Sequence, residues 1–344
     1  MKTLSKPKGN AEEYGRWSVN PYIGCPHGCL YCYLKSGPSG GYLGQPKAVL
    51  KKGIVSEAHA YHLAMAEIIE HKDEIICDGG LFMTFTSDPL NFDTHSLFCR
   101  IVRSSVKVDI PVTMLTKTDL IPPSLFLDEM IPSRYILGNF DKKKATNEIL
   151  ENCIGKNHLL SIGFTLTGHD ELEPKAATNE ERIRTIDFLK NNYPIAKGCH
   201  VWASIEPVID FDASFRMIQQ ALDAGCEHFK IGLMTKNTKV CRHGFTLGGK
   251  TFEPYDPARC LAFVQDVMVA TAGRATVYWK QSFREFIGGT EKHRLFSDDD
   301  LHRIFDDYPN AVSKDWSIFT HSPAALHRSV SGRTTTAPNI NNKE

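Results

Sequence analysis

Between residues 56 and 280 the chain alternates short apolar runs with longer amphipathic stretches. SEAHAYHLAMAEIIEHK (56–72) places Ala58, His62, Met65, Ala66 and Ile69 on one helical face behind a Ser56 cap. LFMTFT (81–86) is short and apolar and reads as a strand. The rhythm continues with a helix near 94–106, a strand VTMLT (112–116), a helix near 123–130 and a strand LLSIGFTL (159–166). Then come a capped helix over 178–192, a strand HVWASIE (200–206), a helix FRMIQQALDAG (215–225), a strand FKIGLM (229–234), a helix over 258–272 and a strand ATVYWK (275–280). Helices of this length between strands require parallel crossovers, which predicts an α/β fold built as an open or closed β/α barrel.

Residues 1–17 read as an N-terminal arm and 18–289 as the barrel, with 290–324 as a C-terminal extension. An insertion is expected at about 135–157, where the KKK run reads as a solvated face. After residue 325 the sequence is polar and poor in large apolar side chains, so 325–344 is expected to be a disordered tail.

The chain has 344 residues, 42% of them apolar, enough for one large barrel. Lys plus Arg and Asp plus Glu both total 40. Charge therefore gives no indication of nucleic-acid binding, although a local basic groove stays open. No stretch has the apolar length of a signal peptide core or a membrane span, which predicts a cytoplasmic protein without membrane association. In that compartment thiols stay reduced, so the 10 cysteines are expected as ligands, catalytic thiols or core fillers. Cys77, Cys99, Cys153, Cys199, Cys226, Cys241 and Cys260 are scattered and read as small buried hydrophobes; the spacing of the last three lacks the Cys-x-x-Cys pair that a second cluster would favour.

The other three, Cys25, Cys29 and Cys32, fall within NPYIGCPHGCLYCY (20–33). A zinc ribbon would need a second thiol pair or a spaced His pair, and His27 reads as a loop residue aimed away from the thiols. Three thiolates on a cubane cluster leave one iron open to bind a small molecule. A non-enzymatic zinc- or iron–sulfur-binding recognition module is the alternative. Cys-x-x-x-Cys-x-x-Cys with Tyr31 before the last thiol resembles the signature of the radical S-adenosylmethionine (SAM) enzymes. That resemblance implies a partial (β/α)6-type TIM-like barrel, a [4Fe–4S] cluster on the three thiols, SAM on the open iron, a 5′-deoxyadenosyl radical, and a flavodoxin- or ferredoxin-type electron donor.

In a parallel barrel ligands gather at the C-terminal strand ends. Polar residues recur there, in FTSDP (85–89), LTKTD (115–119), FTLTG (164–168) and SIEPVID (204–210). Singly, Asp88, Asp119 and Asp210 could be caps or turn formers. YCYL (31–34), TSD (86–88), TK (116–117) and LEPKAATNEERI (172–183) together resemble the spore photoproduct lyase-like branch of the superfamily, over roughly residues 18–235. By that resemblance Ser87 and Asp88 contact SAM, Lys117 reaches its carboxylate, Thr165 lies near the ribose or carboxylate, and Tyr33 matches a catalytic tyrosine. The repair enzyme that names the branch has a hydrogen-donating Cys where this chain has Phe85, so photoproduct repair is not expected. Trp202, Glu206, Lys230, Met234, Trp279 and Lys280 are candidates to face an unidentified substrate, with Glu206 as acid, base or anchor.

Overall fold

The computed structural model describes residues 2–35, 39–126, 155–234, 244–288 and 311–312. Most of the insertion and the C-terminal extension, all of the tail, and Cys153 and Cys241 lie outside these residues, as does the second half of the helix expected near 123–130; Pro123–Leu125 form a 3-10 turn. Among the described residues no helix is long and apolar enough to cross a membrane.

The strands are β1 (Leu4–Ser5), β2 (Trp17–Val19), β3 (Tyr22–Ile23), β4 (Val49–Leu50), β5 (Leu81–Met83), β6 (Val112–Thr116), β7 (Leu160–Thr165), β8 (His200–Val208), β9 (His228–Leu233), β10 (Phe245–Leu247), β11 (Lys250–Phe252), β12 (Thr276–Trp279) and β13 (Ala311–Val312). Nine form one sheet in the order β1-β2-β5-β6-β7-β8-β9-β12-β13. It is parallel from β2 to β13, with β1 antiparallel at the edge. The fold is therefore α/β with a mostly parallel central sheet. Crossover helices start where polar side chains satisfy the first amides: Ser56 accepts from His59 N, Thr178 and Glu181 form a capping box, and Asp210 and Asp256 cap Phe211–Asp223 and Pro257–Thr271.

Alternation along the strands divides the sheet into two faces. Met83, Met114, Phe164, Ala203, Ile231, Val277 and Trp279 join the main apolar core, whereas Phe82 and Trp202 form a separate cluster with Tyr14, Phe85 and Leu115. Two expected substrate-facing residues are thereby relocated. Trp279 packs against Phe263 and Phe283, and Met234 lies in the main core. Helix Glu57–Glu70 also differs in phase from its expectation: it buries Ala60, Ala64 and Ile68 and leaves Ile69 50% exposed.

The second face is strongly concave. Strands β5 and β12 are five neighbours apart, about 24 Å across a flat sheet, yet Tyr14 touches both. Its ring lies 5.6 Å from that of Phe82 and 4.7 Å from Lys280 Nζ, just past β12. Gly163 contributes to this surface, since a Cβ there would overlap the indole of Trp202. Gly163→Ala should displace that buried ring and lower stability by about 1–3 kcal/mol, read as a shifted denaturant midpoint; an unchanged midpoint would contradict the packing.

Candidate active site

The cysteine loop leaves β3 and lies against the residues that follow β5, β6 and β7. Leu30 N donates to Leu172 O at 2.9 Å, and Lys175 N donates to His27 O at 3.1 Å. Cys29 is buried and Cys25 and Cys32 are partly exposed. Burial pushes the Cys25 and Cys29 thiols up; Cys32 adds to both, while Lys117 opposes the shift at Cys29.

His27 lies in the loop, as expected, but not at its surface. It is buried, and its Nε2 lies 2.9 Å from Asp88 Oδ2. Asp88 also accepts from Lys117 N at 2.8 Å, Thr116 Oγ1 at 2.7 Å and Leu90 N at 2.9 Å. Burial raises the Asp88 pKa, but His27 and these donors outweigh it and hold the carboxyl below its usual range. Both oxygens are thus engaged in bracing the loop against β6, and any ligand contact from Asp88 would have to replace one of these bonds. Neighbouring Ser87 has a buried Oγ without a hydrogen-bond partner among the described residues.

Lys117 directs its ammonium to Tyr31 OH and Glu173 Oε1, both at 2.8 Å. Glu173 also binds Tyr31 OH and Arg182, and Arg182 reaches the carbonyl of Thr165 at the end of β7. Glu173 and Arg182 have fully buried side chains, and Lys117 is 17% exposed. Burial pushes the Glu173 pKa up, yet Lys117 and Arg182 together hold it at about 2. Tyr31, Lys117 and Thr165 are therefore joined through two residues not anticipated as site residues, Glu173 and Arg182. The only signal was the presence of both in the 172–183 stretch.

A second polar group occupies the concave face. A register shift in β8 between Ile205 and Val208 accompanies Glu206. Its carboxylate receives Lys280 Nζ at 2.7 and 2.8 Å and the hydroxyl of Tyr14, which also bonds Ser204 Oγ at 2.9 Å. Gly232 makes room for this contact: a Cβ there would lie 2.8 Å from Lys280 Cδ and 2.9 Å from Glu206 Oε1. Lys230 Nζ sits 4.0 Å from the Tyr14 ring centre. Burial first, and then Lys280, lower its pKa well below the usual lysine range. Glu13 completes the group, 3.4 Å from Lys280 Nζ and accepting from Tyr278 OH at 3.1 Å. Tyr14 and Glu13 carried no sequence signal.

Tyr33 links the two halves. Its ring is 54% exposed while its hydroxyl donates to the Phe85 carbonyl. Its pKa is raised by loss of solvent and then by Cys32, Cys25 and Glu206. The thiols and the Glu206 carboxylate thus both lie within electrostatic reach of the Tyr33 hydroxyl.

No family model and no curated protein matches the chain. Among solved structures, the crystal structure of SuiB from Streptococcus suis is similar over 82% of this chain and 54% of that one, at 13% identity and a TM-score of 0.45. SuiB bound to S-adenosylmethionine gives 82%, 53%, 12% and 0.46. The chain spans about half the length of SuiB. These similarities are too remote to define a function.

Proposed function

We propose that the protein is a radical SAM enzyme of open-barrel type, with Cys25, Cys29 and Cys32 as the ligands of a [4Fe–4S] cluster. The observation that carries this reading is the position of the three thiols. They share one loop, held by residues that follow β5, β6 and β7, at the strand ends where a parallel barrel binds ligands. A multi-iron cluster bonds each of three thiols to a different iron and leaves one iron open. Bound there, the cluster would supply the electron that cleaves SAM to a 5′-deoxyadenosyl radical.

The chain's own groups fit the remaining tasks. The Lys117 ammonium has a third donor beyond Tyr31 and Glu173 to offer a carboxylate, and Ser87 Oγ, adjacent in sequence to Asp88, is a buried donor and acceptor without a partner among the described residues. Thr165, at the end of β7, is in reach of the same ligand. Asp88 serves SAM indirectly, by fixing the loop and Lys117 N. Glu206, positioned by Tyr14 and Lys280, anchors or deprotonates the substrate, and Tyr33 lies near both it and the thiols. Phe85 cannot donate a hydrogen atom, so we propose no thymine-dimer repair. A flavodoxin- or ferredoxin-type protein would deliver the electron.

The test is anaerobic reconstitution with iron and sulfide, followed by SAM and dithionite. A brown protein that forms 5′-deoxyadenosine supports the reading; a colourless zinc protein that forms none would favour a recognition module. Glu206→Gln should retain iron and substrate-independent 5′-deoxyadenosine formation, and lose at least about 100-fold in substrate-dependent turnover. Loss of SAM cleavage without substrate would instead assign Glu206 to the cofactor shell.

A further inference from the structure

At the opposite end of the strands lies a second set of possible ligands. His200 opens β8, His228 opens β9, and Glu227 immediately precedes it. One ligating atom from each falls within 4.8 Å of the other two. Glu206 is six residues further along β8, about 20 Å from His200. This group therefore lies at the other end of the strands from Glu206 and the cysteine loop.

Each of the three is oriented from behind. Thr276 Oγ1, at the start of β12, bonds His228 Nδ1, which directs Nε2 to the group. Lys190 Nζ bonds Glu227 Oε1 at 2.7 Å, and the backbone of His158 bonds the His200 ring. Glu227 Oε2 is buried and has no hydrogen-bond partner among the described residues; His200 Nδ1 faces it at 3.9 Å. That gap is too long for a hydrogen bond and close to the separation of about 3.3 Å that two ligands adopt around a tetrahedral zinc. Imidazoles held by a hydroxyl and a backbone group, with a carboxylate held by an ammonium, have the outer support typical of metal ligands.

We infer that His200, Glu227 and His228 bind one divalent ion of the zinc class, with water completing the shell. Two imidazoles and one carboxylate suit Zn2+ or Co2+ rather than Mg2+ or Ca2+, which prefer all-oxygen shells. The Lys190 ammonium opposes the incoming charge but leaves Oε2 to the ion. The ion would staple the first residues of β8 and β9 and, through Thr276, of β12.

Cobalt is the probe, on the full chain with Cys25, Cys29 and Cys32 all replaced by alanine so that the loop cannot compete. The expected result is one equivalent of Co2+ with visible d–d bands, no thiolate charge-transfer band, and a raised melting temperature. Adding His200→Ala, at a partly exposed position, should weaken binding by at least about 10- to 100-fold, and Thr276→Val by about 10-fold. In parallel, wild-type protein with a reconstituted cluster should retain about one zinc per chain after dialysis, and His200→Ala should lose it. The inference is overturned if Co2+ does not saturate, if His200→Ala binds as well as its parent, or if a thiolate band identifies Cys199 or Cys226 as the ligand.

Discussion

Cys29→Ala is expected to abolish cluster assembly, leaving iron and sulfide at background after anaerobic reconstitution. Two remaining thiolates cannot hold a cubane that leaves one iron open by design. The loop itself should survive, because it is fixed by Leu30 N on Leu172 O and by His27 on Asp88, none of which involves sulfur. Melting of the iron-free variant should therefore stay near that of iron-free wild type. Full iron and sulfide in Cys29→Ala, with normal SAM cleavage, would refute the ligand assignment.

Glu173→Gln is expected to cost about 3–5 kcal/mol, because it leaves Arg182 and Lys117 without their shared buried counter-charge. The sign of the pH dependence follows from the same carboxylate. Its folded pKa of about 2 lies below the ordinary 4.5. Its stabilisation, about 3 kcal/mol, is therefore complete above pH 4.5 and drains away as the pH falls toward 2. Urea unfolding of wild type and variant at pH 7, and again near pH 3, measures both. The gap between the two proteins should narrow at the lower pH; a variant equal to wild type at pH 7 would show that the network carries no net stability.

The alternation of apolar runs and capped helices was legible because strands 112–116, 159–166 and 200–206 are predominantly apolar and Ser56, Thr178 and Asp210 mark helix starts. Short β1 to β4 were not, since two or three residues carry no periodicity. The buried face of Glu57–Glu70 was misread because Ala and Ile recur around most of that helix, so no single stripe stands out. Trp279 and Lys280 looked alike as strand-end residues, and only the parity of the strand separates them: the ring turns to the helices and the ammonium to the cavity. The thiols were readable from spacing. Their supports were not, because Glu173 and Arg182 meet Lys117 through tertiary folding, and Glu13 and Tyr14 reach partners 190 or more residues away.

Those last contacts have a consequence for biogenesis. Tyr14 must wait for Glu206, and Glu13 for Tyr278 and the amide of Gln281, 268 positions later. At a translation rate of about 5–20 residues per second, that interval lasts roughly 15–50 s. During its last part the Tyr14 ring can rest on Phe82 and Trp202, but without the Lys280 ammonium that ties it to Glu206 and Glu13. A ribosome-bound chain stalled before β12 should accordingly be a chaperone client, since Glu13 and Tyr14 are made long before the last of their partners.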